Sequence, residues 1–273
     1  MSNIYVSSCG FEQNCDYCWM EVSQDSQTRV SDLPAPFDND VKTLVYIESP
    51  SIALSRSENK LFLLISSIEP EGRVDFVKRQ IAISVVWVVD NSQDNESILR
   101  MLAAQALNDE GLSELTKSIA ESVTLGGEYG FQCDFTLLNA LLDLDKAKKV
   151  VQDNPPNDYG QTTHRLAKLS PTMKSKLAEE ILQFRVPKNS SSSESRVLLV
   201  VTEIKKEETL RDALVWRGLS NLVSREDWWT YYPPAKPVGD ALWLLMTIAL
   251  KVNRKWGLGF RSILESIFLN TGV

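Results

Sequence analysis

The stretch that decides the fold is IAISVVWVV, residues 81–89, which is rich in β-branched side chains and nearly free of polar ones. A short apolar run of this kind is typical of a strand buried on both faces, although its periodicity would also fit a buried helix. The run RVLLVVT, residues 196–202, has the same character. The sequence therefore places buried strands both early and late in the chain.

The pattern around these two runs predicts further strands first and helices afterwards. Strands are predicted at residues 4–7, 17–22, 43–47, 52–55 and 61–66. Helices are predicted within residues 95–153, after Ser170-Pro171, from about residue 208 to 223, and from about residues 240 and 260. Ser170-Pro171 is a helix start because serine caps free N–H groups and proline fits the first turn. We expect an α+β fold, in which a mixed sheet from the N-terminal third plus one later strand packs with helices.

A serine-rich stretch predicts a division of the chain. KNSSSSES, residues 188–195, has the composition of a flexible linker. It would join an N-terminal α+β domain, residues 1–187, to a strand-plus-helices unit, residues 196–273. The alternative is one continuous domain.

Charge and hydropathy argue against some classes of partner. The chain has 29 Lys and Arg against 36 Asp and Glu, a net charge of −7, whereas nucleic-acid binding depends on a basic surface. The most apolar run, residues 241–250, is ten residues long, about half of the roughly 20 that a membrane-spanning helix needs. With no secretory signal at the N-terminus, we expect a cytoplasmic protein that contacts neither nucleic acid nor membrane. The alternative is a membrane-acting effector that uses residues 241–250.

The cysteines near the N-terminus have a spacing that could hold a metal. Cys15 and Cys18 form C-x-x-C, Cys9 precedes them, and Cys133 lies far along the chain. Four ligands of this kind can hold zinc in a tetrahedron, so these four cysteines form the alternative site, with His164 as the other possible fourth ligand. The stretch also resembles the iron–sulfur motif of radical SAM enzymes, although more residues separate its first two cysteines. The preferred interpretation is that the thiols act as small hydrophobic side chains, with no metal and no cofactor.

Common catalytic motifs are missing from the sequence. It contains no Walker A motif, no G-x-G-x-x-G, no H-E-x-x-H and no G-x-S-x-G. Its one histidine, His164, follows a proline-rich break and is expected in a surface loop without a role. We therefore expect a protein that is not an enzyme.

An aromatic segment is the first candidate for protein binding. Trp228, Trp229, Tyr231 and Tyr232 lie within five residues. Trp and Tyr bury large areas at low entropic cost and dominate interface hot spots. The segment is expected either to form a contact surface or to fold back over the core.

Arg73, Asp75 and Arg79 are the second candidate, and they carry a resemblance. They form R-x-D-x-x-x-R after a turn with Pro and Gly, where an Arg–Asp pair would pin the loop. With the strands around it, about residues 51–90, this element resembles accessory proteins of prokaryotic conflict systems, which are encoded beside caspase-like proteases, GTPases or CRISPR effectors. The resemblance implies an adaptor or regulator that binds a protein, such as a protease or an effector complex.

The expected function is therefore a non-enzymatic protein-binding adaptor or regulator in a prokaryotic defence or signalling assembly. The alternatives are a zinc- or iron–sulfur-binding protein that uses the N-terminal cysteines, and the membrane-acting effector.

Overall fold

Both apolar runs form buried strands of a mixed sheet. The computed structural model describes residues 2–12, 16–34, 37, 41–57, 59–154, 163–187 and 196–232. The strands, numbered along the chain, are β1 (Asn3–Ser8), β2 (Cys18–Val22), β3 (Gln27–Val30), β4 (Ser51–Arg56), β5 (Lys60–Ile68), β6 (Ile83–Asp90), β7 (Val123–Leu125), β8 (Phe131–Cys133), β9 (His164–Lys168), β10 (Arg196–Thr202), β11 (Arg217–Ser220) and β12 (Trp229–Tyr231).

The sheet has an antiparallel part and a parallel part. Among the described residues, ten strands pair in the order β12-β9-β11-β10-β4-β5-β6-β1-β2-β3. From β4 to β3 every pair is antiparallel, whereas β10, β11 and β9 are parallel to one another. The two parts meet where β10 pairs antiparallel with β4. β7 and β8 form a separate hairpin.

The helices begin where capping residues satisfy their free N–H groups. They are α1 (Gln93–Leu107), α2 (Asp109–Ser122), α3 (Phe135–Ala140), α4 (Leu144–Val150), α5 (Pro171–Gln183) and α6 (Glu207–Asp212). Ser92 caps α1, and Ser170 caps α5 by accepting from the Met173 N–H at 3.2 Å. Helix α1 packs on α2, α5, β4 and β5.

Both faces of the sheet are covered, which explains the unbroken apolar runs. On one face, Val85 and Trp87 of β6 belong to the core beneath the helices. On the other face, Val86 and Val88 pack with apolar side chains from residues 33–45 and from α6. A strand with two buried faces needs no polar alternation. The described elements belong to one compact unit, Met1–Tyr232.

The α+β class with a mixed sheet is confirmed, and the sheet is larger than the sequence predicts. The chain after residue 160 contributes β9, β11 and β12 besides β10. The predicted strand at residues 43–47 is wrong, since this segment forms turns that bury Val41, Leu44 and Val45. Their i, i+3, i+4 spacing is helical, and it outweighs the β-branched composition.

The helix predicted at residues 208–223 is also wrong. It ends at Asp212, and residues 217–220 form β11 instead, because they fill the parallel position between β10 and β9. Strand β10, which follows the predicted linker, pairs with β4. Residues 188–195 themselves, the helices expected after residue 240 and the run 241–250 lie outside the described residues.

Candidate functional site

A tight loop between β5 and β6 presents four exposed side chains at its tip, from Phe76 to Arg79. Val74 and Gln80 form a bridge, and residues 75–79 make its tip. The Asp75 carboxylate accepts from the Val77 N–H at 2.9 Å, the Arg79 N–H at 2.8 Å and the Arg79 Nε–H at 2.8 Å. Burial raises the pKa of Asp75, but these hydrogen bonds outweigh it and hold that pKa below its usual value. The Asp75 carboxylate therefore holds the loop in this conformation.

The tip of this loop adjoins other exposed apolar side chains. The Phe76 N–H donates to the Phe11 carbonyl at 3.2 Å, and the Ala82 N–H donates to the Tyr17 hydroxyl at 2.9 Å. Phe11, Tyr17, Phe76 and Val77 are 52%, 53%, 43% and 52% exposed. We call these four residues, together with exposed Lys78 and Arg79, the loop-tip patch. Aromatic groups gathered on a surface are typical of an interaction site.

Arg73 lies under this loop and does not belong to its surface. It is 8% exposed, and its guanidinium donates to the Val123 carbonyl at 2.6 Å and to the Ser8 hydroxyl at 3.1 Å. Burial lowers its pKa from the usual value. Of the three residues that the sequence predicts here, Asp75 and Arg79 thus hold or form the tip, whereas Arg73 anchors its base.

Three cysteines lie near Arg73: Cys18 in the large sheet, Cys133 in the separate hairpin and Cys9 just after β1. Cys18 is paired with Ser8, and Cys133 with Val123, the two residues to which Arg73 donates. Cys9, Cys18 and Cys133 are buried, and burial raises the pKa of Cys133 to about 12. Among the described residues no group of three His, Cys, Asp or Glu side chains is arranged to hold a metal. Cys15 lies outside the described residues.

The aromatic segment does not form one surface. Trp228 packs against the helix-covered core, whereas Trp229 and Tyr231 pack against the opposite core and stack at 6.0 Å between ring centroids. The Tyr231 hydroxyl donates to the Val215 carbonyl at 2.6 Å, and burial raises its pKa. Tyr232 is 73% exposed. Only Tyr232 is therefore freely available to a partner within the described part of this segment.

His164 is not in a surface loop, contrary to the expectation. It begins β9, is 5% exposed, and its Nδ1 lies 3.1 Å from the Val215 carbonyl. The segment before it is rich in polar residues, but its strand position between β11 and β12 buries the ring.

Comparison with family models, with curated proteins and with solved structures finds no match to this chain. In the described residues, no helix has both the length and the apolar character needed to cross a bilayer.

The sequence analysis missed the apolar members of the loop-tip patch. Phe76 and Val77 stand between charged residues in a turn that begins with Pro70. An apolar pair at such a position could have indicated an exposed tip. Phe11 and Tyr17 could not have been assigned, because their proximity to the loop depends on the pairing of β1 with β6.

Proposed function

We propose that this chain is a non-catalytic adaptor or regulator that binds a protein partner through the loop-tip patch. The main observation behind the proposal is that hydrogen bonds to Asp75 hold the loop so that Phe76 and Val77 are exposed beside Phe11. Exposed aromatic and aliphatic side chains have little use at a loop tip unless another surface covers them.

The loop is ordered before any partner arrives. Lys78 has a φ of 63°, a left-handed conformation that costs a non-glycine residue about 1–2 kcal/mol. Three hydrogen bonds to Asp75 hold the loop in this conformation. Fixing a loop in advance removes an entropic cost that would otherwise oppose association. A loop tip that is already rigid can therefore bind its partner without first becoming ordered.

The side chains of the tip indicate the chemistry of the partner. Phe76 and Val77 require an apolar recess, and Lys78 beside them requires an acidic group at its rim. Glu12 and Asp16, which are exposed next to Phe11 and Tyr17 in the sequence, would repel a partner surface that is negative throughout. The partner is thus a protein with an apolar recess and a local carboxylate, and not a highly charged polymer.

The resemblance of residues 51–90 to accessory proteins of prokaryotic conflict systems supports the setting. The loop lies within this range. The proposal therefore extends to a defence or signalling assembly, in which the partner is a protease or an effector complex.

The test begins with the proteins encoded beside this chain. Each is purified and its affinity for the wild-type chain is measured by calorimetry. For the partner that binds, we expect Phe76→Ser to raise the Kd roughly 30-fold, since a central anchor contributes about 2 kcal/mol. Lys78→Glu should slow association, because it reverses the charge that meets the acidic rim.

Leu222→Ser is the matched control, because Leu222 is an apolar residue with a similar exposure, 51% against 43% for Phe76, but lies after β11 and outside the patch. It should leave the Kd unchanged. If Phe76→Ser binds as well as the wild type, the patch is not the interface. Binding of the chain to a second copy of itself or to anionic vesicles, abolished by the same substitution, would assign the patch to another occupant.

The alternative of a zinc- or iron–sulfur-binding protein that uses the N-terminal cysteines is not favoured by the geometry. Among the described residues, Cys9, Cys18 and Cys133 are not arranged to hold a metal, and burial raises the pKa of Cys133 to about 12, which disfavours its thiolate. Elemental analysis of protein purified without oxygen tests this alternative. We expect metal-free protein, and stoichiometric zinc or iron that is lost in Cys133→Ser would overturn that expectation.

A further inference from the structure

Strand β3 lies at one end of the ten-stranded sheet, and one of its two edges is free. Among the described residues it pairs with β2 alone. At the turn between β2 and β3, the Ser23 N–H donates to the Ser26 carbonyl at 2.9 Å, so these two residues form a hydrogen-bonded pair. Hydrogen-bonded and non-hydrogen-bonded pairs alternate along antiparallel strands. The backbone N–H and C=O groups of Gln27 and Arg29 therefore point away from β2, toward the free edge.

The side chains of Gln27 and Arg29 lie on the helix-covered face of the sheet. Gln27 lies opposite Val22 and Arg29 lies opposite Met20, and both of these apolar residues belong to the core beneath the helices. Directly opposite residues of an antiparallel pair share a face. Arg29 is exposed, and within the described part of the chain its guanidinium makes no hydrogen bond or ion pair. The free edge thus carries a positive charge that is available to another molecule.

An acidic groove lies on the same face, beside Gln27. It has a volume of about 710 Å³ and runs from the turn between β2 and β3 to the β7–β8 hairpin. The Gln27 side chain joins its two walls, since its amide donates to the Cys133 carbonyl and accepts from the Cys133 N–H at 3.1 Å. Asp25, Glu121 and Asp134 line the groove, and no described Lys or Arg residue does. The groove is therefore suited to a cationic side chain.

We propose that two copies of this chain associate by antiparallel pairing of their β3 strands. With Thr28 of each copy at the centre, Gln27 of one copy lies opposite Arg29 of the other. The outward N–H and C=O groups of these residues then form the hydrogen bonds of a continuous sheet. Because opposite residues share a face, the Arg29 side chain of each copy enters the acidic groove beside Gln27 of the other. The contact is isologous, so the arrangement closes as a dimer.

Charge and backbone geometry both favour a second copy as the occupant of this edge. An added strand needs outward backbone groups two residues apart and a cation for the groove, and β3 itself supplies both through Gln27 and Arg29. Since β3 is only four residues long, the interface is small, and small interfaces are typical of weak or transient association. We expect a reversible monomer–dimer equilibrium. The interface uses none of the residues of the loop-tip patch and goes beyond the proposed function.

Sedimentation equilibrium of the full chain measures this association. Arg29→Glu places a carboxylate against the carboxylates of each groove. It should raise the Kd of the dimer at least about 100-fold, that is, about tenfold at each of the two symmetric contacts. Arg225→Glu is the matched control, since Arg225 is exposed after β11 and undergoes the same change of charge. It should leave the Kd unchanged.

A charge exchange separates lost charge pairing from misfolding. The double variant Asp25→Lys, Glu121→Lys makes the groove basic, and both residues are exposed in the wild type. Alone, this variant should stay monomeric, because Arg29 of one copy meets lysines of the other. Mixed with Arg29→Glu, it should form a heterodimer, since each groove then receives a side chain of opposite charge.

Amide hydrogen exchange locates the interface. Protection of the Gln27 and Arg29 amides should rise with protein concentration, whereas the Thr28 amide, which faces β2, should be protected at every concentration. Phe76→Ser should leave the dimer intact, and loss of the dimer in that variant would assign the association to the loop-tip patch. The proposal is overturned if the chain stays monomeric up to about 1 mM, if Arg29→Glu associates as tightly as the wild type, or if protection rises elsewhere but not in β3.

Discussion

The pKa of His164 depends on the groups that surround its buried imidazole ring. Its Nδ1 donates to the Val215 carbonyl at 3.1 Å, and its Nε2 accepts from the Arg196 guanidinium at 3.4 Å. Burial, followed by the charges of Arg196 and Arg217, lowers its pKa, although hydrogen bonds to backbone carbonyls oppose the shift. The ring is therefore neutral in the folded chain at neutral pH.

The lowered pKa of His164 predicts how stability depends on pH. The unfolded chain takes up a proton at this histidine near pH 6.5, whereas the folded chain does so only at lower pH. The free energy of unfolding should thus fall as the pH drops below about 6.5. Urea unfolding followed by Trp fluorescence from pH 7.5 to about 5.5 measures the slope.

His164→Gln provides the control for this slope, because glutamine can still hydrogen-bond the Val215 carbonyl but does not titrate. The pH dependence in this range should shrink in that variant. An NMR titration of the single histidine would contradict the prediction if its pKa were 6.5 or higher.

At the scale of single elements, hydrogen bonds to Asp75 stabilise the loop between Val74 and Gln80, whereas the backbone conformation of Lys78 destabilises it. Lys78 adopts a φ of 63°, while Val77 beside it does not have a positive φ. Both side chains are exposed. A substitution by glycine should therefore have opposite effects at these two neighbouring positions.

We expect Lys78→Gly to raise the free energy of unfolding by about 0.5–1 kcal/mol, since glycine removes the steric cost of the left-handed conformation. Val77→Gly should lower it by about the same amount, because there glycine only makes the unfolded chain more flexible. Urea midpoints of the two variants measure the difference. Equal effects of the two substitutions would show that the loop conformation does not cost the predicted energy.

The sequence predicts elements best where the pattern is local. Helix α5 begins where Ser170-Pro171 predicts it, because a cap and a first-turn proline act within a few residues. Strands β9 and β11 could not be predicted in this way. Each is short, and each forms because it pairs in parallel with a neighbouring strand.

At the scale of the whole molecule, Glu96 joins three distant segments. Its carboxylate pairs with Arg56 of β4 at 2.6 Å and accepts from the Val186 N–H at 3.0 Å. Arg100, one turn further along α1, is fully buried and lies 3.9 Å from the same carboxylate. Glu96 thus compensates buried positive charge between the sheet and the helices.

We expect Glu96→Ala to lower the free energy of unfolding by about 3–5 kcal/mol, because it leaves the buried Arg56 guanidinium without its counter-charge, whereas Arg100 keeps Asp153 at 3.5 Å. Asp94→Ala is the matched control on the same helix. Asp94 lies in the exposed first turn of α1, where a carboxylate contributes only about 0.3–1 kcal/mol through the helix dipole. Comparable losses in both variants, measured by urea unfolding, would contradict the role given to Glu96.

The candidate sites show the limits of sequence analysis at this scale. Asp75 and Arg79 were found because their spacing is local and their pairing is chemically obvious. The exposed position of Phe76 beside Phe11 was not found, since it depends on which strands lie next to β6. The composition of the aromatic segment indicated a single contact surface. In the structure, however, Trp228 packs against one core of the sheet, whereas Trp229 and Tyr231 pack against the other.

The sequence by itself determined the α+β class, the buried strands β6 and β10 and the start of α5, because apolar runs and caps act over short distances. The tertiary structure alone decided the order of the strands. That order brought Cys18 of β2 beside Ser8 of β1, to whose hydroxyl Arg73 donates, and it buried His164 between β11 and β12. The physical reason is that strand register relates residues far apart in the chain, and no local pattern specifies which distant strand will be the neighbour.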